Sequence, residues 1–338
     1  LSDLLYGLNN VEGFIRIAFN DNLEHFQGLS NISAVGAYII IEGNPRLQDL
    51  GGLAGISHIP GYLDITDNAE LPDLLGLSNL KSAGDYLALE NNDSLVDTSD
   101  LTSLETLGGN LWVVQNDVLD NLDGFVNLES VGGLVYITEN ILPNVDALSN
   151  LNSIGGDLIM SWSPYLTNLD GYSSLTSVGG SLWINNQPAL ASIDGLANVQ
   201  TVGGYARFSH LPSLTNLDGL ASLETVGEYL HIDNNALLGQ IDGLSNLASV
   251  GGFLFLEGND SLPDISGFAN LKSVGGTLFV EKNAVLENLD GFSALIQLEG
   301  FLNIEGNDAL LQINGLSGIT EIPGYLNIAE NPALTNLD

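Results

Sequence analysis

The four histidines, His25, His58, His210 and His231, are the side chains of this 338-residue chain best suited to moving a proton near neutral pH. They stand far apart in sequence, with no Ser/His/Asp order of a nucleophilic triad and no metal-ligand spacing around them. The chain has no Cys, which removes thiol nucleophiles, thiolate metal sites and a disulfide framework together. Glycine pairs such as Gly251-Gly252 read as turns and lack the helix that a phosphate loop requires. These residues argue against an enzyme.

Carboxylates are the other reactive population. There are 42 Asp and Glu against 6 Lys and Arg, a formal net charge of -36, so nucleic acid and anionic lipid are repelled. Six Asp recur every 23 or 24 residues, at 123, 146, 170, 194, 218 and 242. Such a row suits two roles. Each Asp could accept hydrogen bonds from its own turn, or the row, through Asp170, Asp194 and Asp218, could hold structural calcium, which wants several oxygens. Glu257, Glu281 and Glu305 pose the same alternatives beside Lys282. No other cofactor is expected.

What must position these residues is an internal repeat. Counted from the Gly after each Leu-Asp, the chain divides into coils of 24, from Gly28–Gly51 and Gly52–Leu75 to Gly315–Asp338, with fourteen coils over 7–338. The first is three residues short, and the sixth, Gly124–Asp146, is one short. In "GYSSLTSVGGSLWINNQPALASID", residues 171–194, positions 2, 5, 8, 12, 14, 20 and 23 are apolar and recur down the chain, which marks them as inward. Position 20 is always Leu, each worth roughly 1.5–3 kcal/mol when buried. Positions 11 to 15 alternate with the period of two of a strand buried on one face. Stacked coils would pair as parallel strands ~4.8 Å apart, giving a rod of about 65–70 Å. The Asn at position 17 (Asn44, Asn68, Asn92, Asn116, Asn259, Asn283, Asn307, Asn331) is expected to point inward and satisfy backbone groups orphaned at the bend.

"LWVVQNDVL", residues 111–119, resembles the leucine-rich-repeat core L-x-L-x-x-N. "GFVNLESVGGLVYITEN", residues 124–140, is similar to the L domains of growth-factor and insulin-type receptor ectodomains and to related repeats of microbial surface proteins. The resemblance implies an all-β parallel β-solenoid, a right-handed β-helix of about fourteen coils. It would form one domain over 1–338, with residues 1–6 as the tail of a preceding coil. It also implies partner binding on an exposed face. The receptor versions are short and have Cys-rich neighbours, so receptor signalling does not carry over to this chain.

In this register the outward position 13 holds Trp112, Tyr136, Trp183, Arg207, His231, Phe255 and Phe279, and position 11 adds Tyr205, Tyr229 and Phe253. Coils five to twelve should therefore carry an aromatic strip. Its rings could stack along the ladder as stabilisers, or form a contact surface for a protein or glycan. Coils seven to nine break the Asn column with Ser163, Gln187 and Leu211, each followed by Pro, and Trp162, Tyr165 and His210 lie around the break. That cluster reads either as a binding corner or as a repacked bend. Of three glycosylation sequons, at Asn31, Asn92 and Asn259, Asn31 is the usable one, since the others fall in the inward column.

No apolar run of 18 residues spans a membrane. The leading expectation is a non-enzymatic extracellular or cell-surface recognition and adhesion solenoid, binding a protein or polysaccharide through the aromatic face. The alternative is a self-assembling structural subunit of an extracellular filament, sheath or surface layer, with copies added end to end.

Overall fold

The computed structural model describes residue 5 and residues 7–337. The expected tail of a preceding coil, residues 1–6, lies outside the described residues except for Leu5. The chain divides into two compact units, Leu1–Pro164 and Tyr165–Asp338, each built from the same coil.

Every coil contains one four-residue strand formed by the alternating positions 12 to 15. In the first unit these long strands are Ile15–Ala18, Ile39–Glu42, Leu63–Thr66, Leu87–Glu90, Leu111–Val114, Val135–Thr138 and Leu158–Ser161. In the second they are Leu182–Asn185, Ala206–Ser209, Leu230–Asp233, Leu254–Glu257, Leu278–Glu281, Leu302–Glu305 and Leu326–Ala329. Neighbours within a unit pair in parallel and in register, with Leu63 opposite Leu87 and Leu230 opposite Leu254. The alternation decides the faces: Leu63 and Ile65 are fully buried while Asp64 between them is half-buried on the outside. Each unit is an all-β parallel solenoid.

Two further elements complete the coil. Two-residue strands such as Ser130–Val131 and Thr201–Val202 form a second parallel ladder within each unit. A short 3-10 turn such as Asp170–Tyr172 or Asp194–Leu196 leads into the next coil. Both escape a reading of periodicity, because two or three residues show none.

The Leu of position 20 is wholly buried from Leu47 to Leu310. Where the coil begins, backbone meets backbone: a Cβ on Gly124 would lie 1.7 Å from the Thr98 carbonyl oxygen, and on Gly195 1.8 Å from that of Leu169. A side chain would crowd that carbonyl, which favours the Gly after Leu-Asp, although Asp100 and Ala147 stand at the same position in two coils.

Each coil leaves its long strand through one left-handed residue at position 16, with φ between 50° at Asn186 and 69° at Gly306. This costs a non-Gly residue about 1–2 kcal/mol. The next residue offsets it. Asn68 Nδ2 donates to the carbonyls of Ile41 and Thr66 at 2.9 and 3.0 Å, while its Oδ1 accepts from the backbone and amide nitrogens of Asn44, both at 3.2 Å. The inward Asn column therefore forms a ladder that runs to Asn140 in the first unit and from Asn235 to Asn331 in the second. It also includes Asn20, Asn140 and Asn235, which the sequence reading passed over. Asn92 and Asn259 are wholly buried within it, whereas Asn31 is exposed. Among the described residues no helix is long and apolar enough to cross a membrane.

Candidate binding face

In the second unit, parallel register sets Trp183, Arg207 and His231 side by side at position 13, with Asn185, Ser209 and Asp233 beside them at position 15. The Asp233 side chain is only 4% exposed although it lies on the outward side of the sheet. Its Oδ1 has Arg207 Nε at 3.4 Å and His231 Nε2 at 3.3 Å. Its Oδ2 accepts from Asn234 Nδ2 at 2.9 Å and has His210 Nδ1 at 3.8 Å.

These ion-pair approaches are not aligned as hydrogen bonds. Arg207 Nε, His231 Nε2 and Asp233 Oδ1 are buried without a hydrogen-bond partner, as are Trp183 Nε1 and Asn185 Oδ1. Native interiors leave few such atoms, because each costs about 1–3 kcal/mol. Here five lie on three adjacent strands, mixing N–H donors with oxygen acceptors. Burial holds the His231 imidazole below its ordinary range; Asp233 opposes that shift and Arg207 adds to it. The patch thus combines an imidazole held toward its neutral form with an Arg–Asp pair, and leaves both donors and acceptors unsatisfied.

Aromatic rings border this patch. Tyr205 and Tyr229 stack at 4.5 Å with 4° between planes, and Phe255 and Phe279 at 4.3 Å with 3°. His231 leans on Phe255 at 4.8 Å, and Trp183 meets Tyr205 edge-on at 6.2 Å. In the first unit Trp112 and Tyr136 are half-buried at the same position 13. The rings do stack along the ladder, as one of the two readings required.

The longest aromatic run is one the sequence reading missed. Phe14, Tyr38, Tyr62 and Tyr86, at position 11 of coils one to four, form a continuous stack with centroids 4.8, 4.5 and 4.4 Å apart, and Trp112 follows at 4.8 Å. Its signal, an aromatic residue every 24, was legible. Acidic groups adjoin it. Burial, with Glu42 and Asp67 nearby, holds the Asp64 carboxyl above the usual range, although a hydrogen bond from Thr66 offsets part of that. Burial raises Glu90 too.

The break in the Asn column falls inside the protein. Ser163, Gln187 and Leu211 are all wholly buried, so this part of the cluster is a repacked bend. Trp162, His210 and Tyr165 remain at the surface, with Trp162 and His210 on left-handed residues and Trp162 and Tyr165 exposed by 59% and 60%.

The row of Asp is corrected in one respect. The turn's acceptor is the side chain two residues earlier: Asn168 Oδ1 receives the Asp170 N–H at 3.0 Å, Ser192 Oγ that of Asp194 at 3.0 Å and Asn216 Oδ1 that of Asp218 at 3.0 Å. Position 22 has the oxygen within reach of the N–H that opens the 3-10 turn, and position 24 supplies that N–H. Among the described residues no group of three or more His, Asp or Glu could hold a metal ion. Glu257, Glu281 and Glu305 have separate partners, in Lys282 Nζ at 2.9 Å, Asn303 Nδ2 at 2.6 Å and Asn327 Nδ2 at 3.1 Å.

No protein-family model matches the chain. No curated protein matches it either. Among solved structures, it is similar to an internalin from Listeria monocytogenes, with 17% identity over 96% of this chain and 88% of that one and a TM-score of 0.38. It is also similar to a leucine-rich-repeat protein from Bacteroides ovatus, with 9% identity over 92% and 83% and a TM-score of 0.32. A leucine-rich-repeat protein from Leptospira interrogans gives 14% identity over 97% and 86%, with a TM-score of 0.30.

Proposed function

We propose that this protein is a non-enzymatic recognition solenoid that binds a protein or polysaccharide on the outward face of its second unit, centred on Trp183, Arg207, His231 and Asp233. The observation that carries this reading is the group of five buried polar atoms without hydrogen-bond partners on three neighbouring strands. A scaffold gains nothing from them, whereas a shift of these side chains on binding would bring them to a ligand's polar groups. The stacked pairs Tyr205–Tyr229 and Phe255–Phe279 supply apolar contact on either side. An extracellular or cell-surface position belongs to the same proposal.

Screening the whole chain against arrays of polysaccharides and of extracellular proteins tests it. The wild type should capture a ligand that Trp183→Ala and Asp233→Ala release, with both variants retaining the β-sheet circular dichroism spectrum. A ligand held equally by all three proteins would overturn the assignment of this face.

A further inference from the structure

A second site lies in the first unit, at the corner of the short sixth coil. Elsewhere two residues stand between the ladder Asn and the core Leu, as between Asn116 and Leu119, but only Ile141 stands between Asn140 and Leu142. All four residues are wholly buried or nearly so, so the missing residue is lost from the surface side of the bend. A cavity of about 470 Å³ opens there, lined by Asp117, Glu139, Asn140, Ile141, Trp162 and Pro164.

Its chemistry is one-sided. Trp162, Ile141 and Pro164 make apolar walls, and two carboxylates supply charge. Glu139 is bonded to Gln115 Nε2 at 2.9 Å, and the Asn140 amide is committed to the carbonyls of Val113 and Thr138, both at 2.8 Å. None of the six basic residues lines the cavity. Two carboxylates among apolar walls are too few oxygens for a hard divalent cation. A sugar would find acceptors in excess and few donors. A guanidinium or ammonium group on an apolar stem fits better: the stem lies along Ile141 and Pro164, the cation faces the indole, and its N–H groups reach the carboxylates.

We propose that this pocket takes a basic side chain, arginine or lysine, of a protein partner. This proposal stands or falls independently of the one made for the second unit. The strong negative charge of the chain would bring such a partner in.

The three tryptophans provide the readout. Acetyl-arginine amide is titrated into the whole chain, the indole N–H resonances are followed by NMR, and Trp162 is assigned through Trp162→Phe. Saturable movement of the Trp162 signal is expected, with acetyl-lysine amide weaker and acetyl-norleucine amide inert, while Trp112 and Trp183 stay in place. Asp117→Asn with Glu139→Gln removes two of 36 net negative charges, yet should weaken binding at least about tenfold. Equal movement of all three indoles, or unchanged affinity in the double variant, would reduce the effect to general charge attraction and overturn the proposal.

Discussion

Two groups of buried polar side chains in this molecule behave in opposite ways. In the first unit the ladder from Asn44 to Asn140 is buried, and each amide is engaged both along the coil and across to its neighbour. In the second unit, Asp233 is buried to a similar degree, yet its Oδ1 and the polar atoms facing it are unbonded. Burial alone therefore does not distinguish scaffold from site; satisfaction of the buried atoms does.

The comparison can be broken by one substitution made in both places. Asn92→Ala removes donations to the carbonyls of Ile65 and Glu90 and the acceptor used by the Asn68 backbone and amide. It should cost about 2–4 kcal/mol in guanidinium unfolding, since buried groups lose their partners. A loss near zero would mean that the ladder does not hold the bend.

Next in size is the tyrosine stack, where Tyr62→Ala interrupts rings at 4.5 and 4.4 Å. It should remove about 0.5–1.5 kcal/mol beyond the loss of buried area, whereas Tyr62→Leu should recover the area part alone.

The pH dependence separates the two units by sign. Burial lowers the His231 pKa from its ordinary 6.5, so below that value the unfolded chain takes up a proton that the folded one resists. Its contribution is present above pH 6.5 and declines as pH falls toward the folded value. Asp64 and Glu90 are raised above 3.8 and 4.5 by burial. Their contribution is present below those values and is lost as pH rises through the folded ones. Thermal unfolding from pH 4 to 8 should show that His231→Gln removes the loss below pH 6.5, and that Asp64→Asn removes the opposing slope at lower pH.

The smallest effect is the most telling. Asn185→Ala deletes an amide whose oxygen is buried and unbonded, so stability should change by less than about 0.5 kcal/mol, while ligand capture by the second unit falls. A cost as large as that of Asn92→Ala would make this patch part of the scaffold.

Much of this was legible beforehand. The 24-residue register, the Leu column and the alternating strand each recur so often that one assignment explains fourteen positions, and the inward Asn explains eleven. The Asp of position 24 was misread because an Asx-type oxygen at 22 and one at 24 look equally placed in a string; the direction of the 3-10 turn selects the former. The left-handed residue at position 16 left only a faint compositional mark, since Gly43, Gly258 and Gly306 share it with Phe19, Asp67, Trp162 and His210.

What the sequence by itself determined is the coil, because one steric environment repeated at a fixed interval demands the same residue at each return. Only the tertiary structure decided which outward residues form a site. Trp183, Arg207 and Asp233 are 50 residues apart at their extremes, and nothing local links them. Parallel pairing in register brings them onto adjacent strands, and burial then leaves one polar atom of each side chain without a hydrogen bond. The pocket beside Trp162 follows the same logic: a one-residue deletion is visible in the string, but packing turned it into a cavity with an indole wall.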